Sequence, residues 1–226
     1  MVSVRATSLS VRLTHTLILA ILAVTLVPFQ PSHAQEVPEL LINSTAYIVI
    51  DADTGEILAQ KNAHDQRAMA SLTKVFTLLE AIKRAPLDME ITTEVGDLYD
   101  ENSSLMGFGP GETFTLEELL YGLMLPSGND AAHAIARSIG TQPGDREDEG
   151  YERFVAWMNE RVRRMGLQDT NLVNPHGWGV PGHYSTAYDL ATFVRYAMHE
   201  PAFVTIFGTE TYVTSNGYEL RNNNRL

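Results

Sequence analysis

Ala46 to Asp51 and Glu56 to Lys61 are short apolar-rich runs either side of Asp53-Thr54-Gly55, a cluster that supplies the positive φ of a hairpin; they predict an antiparallel strand pair. From Ser71 onward the rhythm changes. Leu72, Val75, Phe76, Leu79 and Ile82 recur at helical spacing until Pro86, which lacks an N–H and clashes with a continuing helix, so a mostly buried helix is expected here. Leu116, Leu119, Leu120, Leu123 and Met124 form another helical face, with Thr115 and Glu118 in capping-box spacing and Pro126 just beyond. Ala131, Ala132, Ile135, Ala136 and Ile139 form a third, capped by Asn129 or Asp130 and ended at Gly140.

Thr141 to Glu152 is polar and holds Pro143, Gly144 and Gly150, which reads as a surface loop before a helix carrying Phe154, Val155, Met158, Val162 and Met165 and ending at Gly166. Ser185 and Thr186 open a further helix, with Asp189 completing the start signal and Leu190, Phe193, Val194 and Ala197 inside. Weak strand signals follow at Glu210 to Thr214 and Tyr218 to Arg221, around Asn216-Gly217.

Composition adds location and excludes partners. Of the 226 residues, 44% are hydrophobic and 19% charged, enough to bury a core in one compact unit. Arg5 and Arg12 precede the apolar run Leu17 to Val27, and small residues follow at Ser32 and Ala34; this is a signal-peptide layout, 1–34. The run is well short of the roughly 20 residues a membrane span needs, so export with cleavage is expected over permanent anchoring. The net charge is −12, and every acidic residue lies beyond Ala34, which makes nucleic acid an unsuited partner. The absence of cysteine removes disulfides, thiolate metal sites and thiol nucleophiles together.

Two short patterns carry candidate chemistry. Ser71 opens a helix, where the positive end of the dipole favours an oxyanion, and Lys74 lies on the same face one turn on; desolvated among Leu72, Val75 and neighbouring helices, it becomes a general base. The bland alternative makes Ser71 an N-cap and Lys74 a surface charge. Ser127-Gly128-Asn129 is a tight turn between two helices that pushes both polar side chains into a cleft, Ser127 to relay a proton and Asn129 to hold a substrate amide, although helix capping is the default for Asn129. His176 and His183 lack metal-site spacing, and no Gly-x-Ser-x-Gly elbow surrounds Ser71, which disfavours a metal centre and a Ser-His-Asp triad.

These motifs, with Ile50-Asp51-Ala52-Asp53-Thr54-Gly55-Glu56, Leu119 to Met124, Phe154 to Asn159, Asn174-Pro175-His176-Gly177 and Gly182 to Ala187, resemble the low-molecular-mass penicillin-binding proteins with D-alanyl-D-alanine carboxypeptidase activity, relatives of the serine β-lactamases. The resemblance runs from about Ala46 to Leu226. It implies an α/β (α+β) fold: an antiparallel sheet flanked by helices, and a mostly helical part from about Leu87 to Asn174. It implies an acyl-enzyme on Ser71, Lys74 as proton acceptor, Ser127 passing protons to the leaving D-alanine and Asn129 holding the substrate backbone. It further implies a peptidoglycan stem peptide ending in D-Ala-D-Ala as substrate, β-lactams as covalent inhibitors, no metal or other cofactor, possible association with a membrane surface, and residence in the bacterial periplasm or at the outer face of the cytoplasmic membrane or cell wall.

Three departures are visible. The family's Lys-Thr-Gly strand is expected a short interval beyond Asn222 to Leu226, so the catalytic unit 35–226 is expected to be C-terminally incomplete and weakly active as written. Met69 stands where Pro is usual, and Asp145 to Glu149 looks inserted. The competing functions are a truncated, non-catalytic penicillin- or peptidoglycan-binding module and a class A-like β-lactamase; Ser127-Gly128-Asn129 in place of Ser-Asp-Asn disfavours the latter.

Overall fold

β1 (Tyr47–Ile50) and β2 (Ile57–Lys61) pair antiparallel as the apolar runs predict. Gly55 supplies the positive φ (+79°), and the Asp51 carboxylate accepts from the Asp53 and Thr54 N–H groups to hold the turn. The computed structural model describes residues 42–99, 102–146 and 148–224. The expected leader through Ala34 lies outside the described residues. Among these, no helix is long and apolar enough to cross a membrane.

The next element departs from expectation at its start. Ala70–Thr73 is a 3₁₀ turn, and the α-helix proper, α1, runs Lys74–Arg84. Three residues per turn instead of 3.6 rotate Leu72 off the buried face, and it is 56% exposed instead of lining the core. Beyond it Val75, Phe76, Leu78 and Leu79 are buried, and the helix stops before Pro86.

α2 (Leu116–Met124) starts with the Thr115/Glu118 capping box foreseen from the spacing, and α5 (Ala187–Ala197) with Thr186 accepting from the Asp189 N–H at 3.0 Å. α3 (Asn129–Gly140) has Gly128 at its N-cap with no side-chain cap bond; Asn129 does not cap it as expected, whereas Asp130 accepts the Ala131 N–H of its first turn. α4 (Glu149–Arg164) begins inside the stretch read as loop. Glycine explains this: a Cβ on Gly140 would lie 1.8 Å from the Gly150 carbonyl oxygen, so the two helices approach through backbone where a side chain would separate them. α6 (Pro201–Phe207) carries Pro at its first turn and was not foreseen.

The fold is α+β. Its antiparallel pairing is divided among three two-stranded ribbons in the described residues, where one sheet was expected: β1–β2, β3–β4 (Glu90–Thr92 with Thr113–Thr115) and β5–β6 (Thr211–Val213 with Glu219–Arg221). The short β3–β4 pair has no signal in the apolar pattern. α1 lies at the centre, packed against the five other helices. That placement takes Lys74, its first residue, out of water.

Candidate active site

Lys74 is 1% exposed, a position in which an ammonium survives only with all its donors satisfied. Its Nζ donates to Asn129 Oδ1 at 2.7 Å, to the His176 carbonyl oxygen at 2.9 Å and to Ser71 Oγ at 3.3 Å. Three acceptors match three protons. Burial lowers its pKa to about 8, against the opposing pull of the Asp130 charge. Once a proton leaves, the two shorter bonds keep the remaining N–H groups engaged and the lone pair is left for the Ser71 hydroxyl. Ser71 itself is exposed, one turn before Lys74 and directly after Ala70, whose φ of +46° is left-handed for a residue with a side chain.

The second limb is the turn between α2 and α3. Asn129 faces Lys74 through Oδ1 while its Nδ2 donates to Ser103 Oγ at 2.5 Å, which fixes which way the amide points. Asp130 is buried and accepts the N–H groups of Met106 and Gly107 at 2.8 Å each and of Ala131, so the head of α3 grips the 102–108 loop and delivers Ser103 and Ser104 to the site. Burial nevertheless pushes the Asp130 carboxyl up.

Ser127 is placed differently from the expectation. It holds a left-handed φ of +64°, and its Oγ is buried without a hydrogen-bond partner among the described residues. The turn directs Asn129 to Lys74, while Ser127 Oγ makes no hydrogen bond to Ser71 or Lys74. The expectation that both polar side chains point outward is corrected for Ser127.

The third wall is the segment Asn174 to Gly179. Asn174 Oδ1 accepts from the Gly177 N–H, and His176 Nδ1 accepts from the Trp178 N–H at 3.1 Å, which leaves the proton on Nε2 to reach the Tyr99 hydroxyl at 2.8 Å. Burial, then the Lys74 charge, lower the His176 pKa to about 3, so the ring is neutral. Together Ser71, Ser103, Ser104, Asn129, His176 and Trp178 line a cavity of about 450 Å³. A larger hollow between Phe207 and Asn224 holds only exposed ionisable groups, Glu210 and Arg221, and no comparable wiring.

Ser71, Lys74 and Asn129 are therefore brought together as the sequence motifs implied, with Ser127 on the adjoining turn. Ser103 and Tyr99 were missed. The polar run Asn102-Ser103-Ser104 is the only local hint of the first, and the carbonyl of His176 has no sequence signature at all.

A family model described as D-alanyl-D-alanine carboxypeptidase (Peptidase_S11) matches residues 32–226. The chain is 33% identical over 229 residues to the D-alanyl-D-alanine carboxypeptidase DacF of Bacillus subtilis, covering 95% of this chain and 56% of that protein. It is 36% identical to DacD of Salmonella typhimurium, covering 82% of this chain and 48% of the relative. The chain thus spans about half the length of these relatives. Among solved structures, the Streptomyces K15 DD-transpeptidase superposes with a TM-score of 0.77 at 30% identity, covering 84% of this chain and 77% of that one. Penicillin-binding protein 6B of Escherichia coli gives 0.74 at 33%, covering 85% and 62%. The match of the family model to residues 32–226, with relatives of more than 30% identity and solved structures of the same fold, means that the chain belongs to the D-alanyl-D-alanine carboxypeptidase family.

Proposed function

We propose that the protein is a serine-type D-Ala-D-Ala carboxypeptidase that removes the terminal D-alanine of peptidoglycan stem peptides through an acyl-enzyme on Ser71, and that β-lactams acylate the same hydroxyl. The observation that carries this reading is the buried Lys74 amine, donating to Ser71 Oγ with its pKa lowered to about 8. At pH 7 about a tenth of such lysines are neutral, enough to accept a proton repeatedly.

Ser71 Oγ loses its proton to Lys74 Nζ as it attacks the carbonyl carbon of the penultimate D-alanine, forming a tetrahedral oxyanion near the positive end of the helical turn. Collapse breaks the peptide bond, and the leaving D-alanine nitrogen takes a proton. The resemblance assigns the passage of that proton to Ser127, whose unpartnered hydroxyl must first turn toward Ser71 and Lys74 to carry it. Asn129, held rigid between Lys74 and Ser103, lines the cavity and orients the substrate backbone. Water then attacks the acyl-enzyme and returns the proton to Ser71. The reaction needs no cofactor. The leader pattern through Ala34 supports export, with action in the periplasm or at the outer face of the cytoplasmic membrane or cell wall.

The test is fluorescent-penicillin labelling and D-alanine release from a diacyl-D-Ala-D-Ala peptide, using the full-length gene product. Ser71→Ala abolishes both in a folded protein. Persisting label on Ser71→Ala overturns the assignment, and rapid turnover of the bound penicillin points to a β-lactamase instead.

A further inference from the structure

The turn that presents Ser71 is strained, and a second buried pair outside the proton-transfer set holds it. Ala70 sits at φ +46°, a left-handed conformation that a Cβ disfavours and that persists only where neighbours impose it. Its carbonyl oxygen accepts the Thr73 hydroxyl at 2.8 Å. Behind that oxygen lies Gly177, φ +94°, where a Cβ would come within 1.9 Å of it, so the carbonyl is confined from both sides.

Thr73 is fully buried, and its oxygen has a second partner, His183 Nε2 at 2.7 Å. The proton positions follow from the surroundings. His183 Nδ1 accepts the Val173 N–H at 3.0 Å, so it carries a lone pair and Nε2 carries the hydrogen. Nε2–H therefore donates to Thr73 Oγ1, whose own hydrogen is turned onto the Ala70 carbonyl. The backbone on either side is anchored: Arg67 N donates to the Ser185 carbonyl and Ser185 N to the Arg67 carbonyl, while Asn171 and Tyr184 exchange a similar pair. The His183 segment is thus tied to the stretch that leads into the Ser71 turn.

We propose that Thr73 and His183 are a positioning pair that locks the Ala70 carbonyl and so aims the Ser71 hydroxyl at Lys74. Neither touches the reacting atoms. The proposal rests on Ser71 as the nucleophile only for its kinetic consequence, since the geometric consequence stands by itself.

Two measurements on the full-length product test it. In penicillin acylation, with the pre-covalent dissociation constant resolved from the chemical step, Thr73→Val and His183→Phe each slow the chemical step about 10- to 100-fold, as a misaimed nucleophile does. Pre-covalent binding stays within about twofold of wild type. The double variant is no slower than the worse single one, because the two act through one carbonyl. His183→Gln, whose amide N–H reaches the place of Nε2, restores most of the rate. Losses that multiply in the double variant, a chemical step unchanged in Thr73→Val, or a His183→Gln as slow as His183→Phe each overturn the proposal. The second measurement is a crystal structure of Thr73→Val, in which Ala70 relaxes to negative φ and Ser71 Oγ moves off Lys74. Retention of the wild-type turn overturns the proposal whatever the chemistry turns out to be. Label retained on Ser71→Ala sinks the nucleophile reading alone, and that structure still decides the role of the pair.

Discussion

The Ser71 and Ser127 turns are built alike and wired oppositely. Each holds a non-glycine residue at a left-handed φ, Ala70 at +46° and Ser127 at +64°, and each introduces a helix through the site. Around Ser71 the polar atoms are joined: Lys74 uses all three donors, and Thr73 both gives and receives. Around Ser127, Asn129 and Asp130 are hydrogen-bonded through both ends of their side-chain groups, while the serine oxygen has no partner among the described residues. A buried hydroxyl without a bond costs about 1–3 kcal/mol, so the second turn carries a penalty the first avoids. On the proposed function, the contrast separates a hydroxyl held in place for attack from one left open for a group that arrives with the substrate.

The harshest test of the contrast is to remove the hub of the joined turn. Lys74→Met takes away the proton acceptor and strands Asn129 Oδ1 and the His176 carbonyl, and the penicillin acylation rate falls about 10²- to 10⁴-fold. Stopped-flow labelling of a folded variant at wild-type rate breaks the assignment of Lys74. Next in size is Asp130→Asn. An amide offers one acceptor oxygen where the carboxylate offers two, so the Met106 or Gly107 N–H loses its partner and stability drops by about 1–3 kcal/mol in denaturant unfolding. The same change removes a charge that raises the Lys74 pKa, so the pH midpoint of acylation moves down.

Smaller again is the pH response of the unaltered protein. The reacting form has neutral Lys74, and its pKa is lowered to about 8, so acylation rises with pH and flattens above that value, by about tenfold between pH 7 and the plateau. A flat profile from pH 6 to 9 shows that Lys74 is not the titrating base. The linkage has the same direction: between about 8 and 10.5 the unfolded chain holds a proton on this lysine that the folded one has lost, so this group adds stability as pH rises across that window.

Legibility in the sequence followed distance along the chain. Ser71 with Lys74, Thr115 with Glu118, and Thr186 with Asp189 are contacts three residues apart, and all three formed as the spacing required. The partners that hold the buried lysine come from 55 and 102 residues away, one of them a main-chain carbonyl that any residue could supply. Asn129 was readable as a polar residue at a helix start, but whether it capped that helix or reached across the cleft depended on what α1 placed opposite. Leu72 misled because a 3₁₀ turn precedes the α-helix, and the glycines at 140 and 150 misled because a close helix approach and a loop share one composition. The resemblance to a family supplied the segment around His176, which spacing alone could not.

The finest test separates strain from the missing hydrogen bond at position 127. Ser127→Ala deletes the unpartnered oxygen and keeps the Cβ that φ +64° disfavours, so it gains only the desolvation relief. Ser127→Gly gains that and also removes strain of about 1–2 kcal/mol, offset by about 0.4–1 kcal/mol for the freer unfolded chain. Both variants are expected to unfold at higher denaturant than wild type while losing D-alanine release, with glycine ahead of alanine by about 0.5–1 kcal/mol. If alanine and glycine prove equal, the left-handed turn carries no measurable strain. If both destabilise, Ser127 Oγ has a partner in solution, and the difference between the two turns disappears.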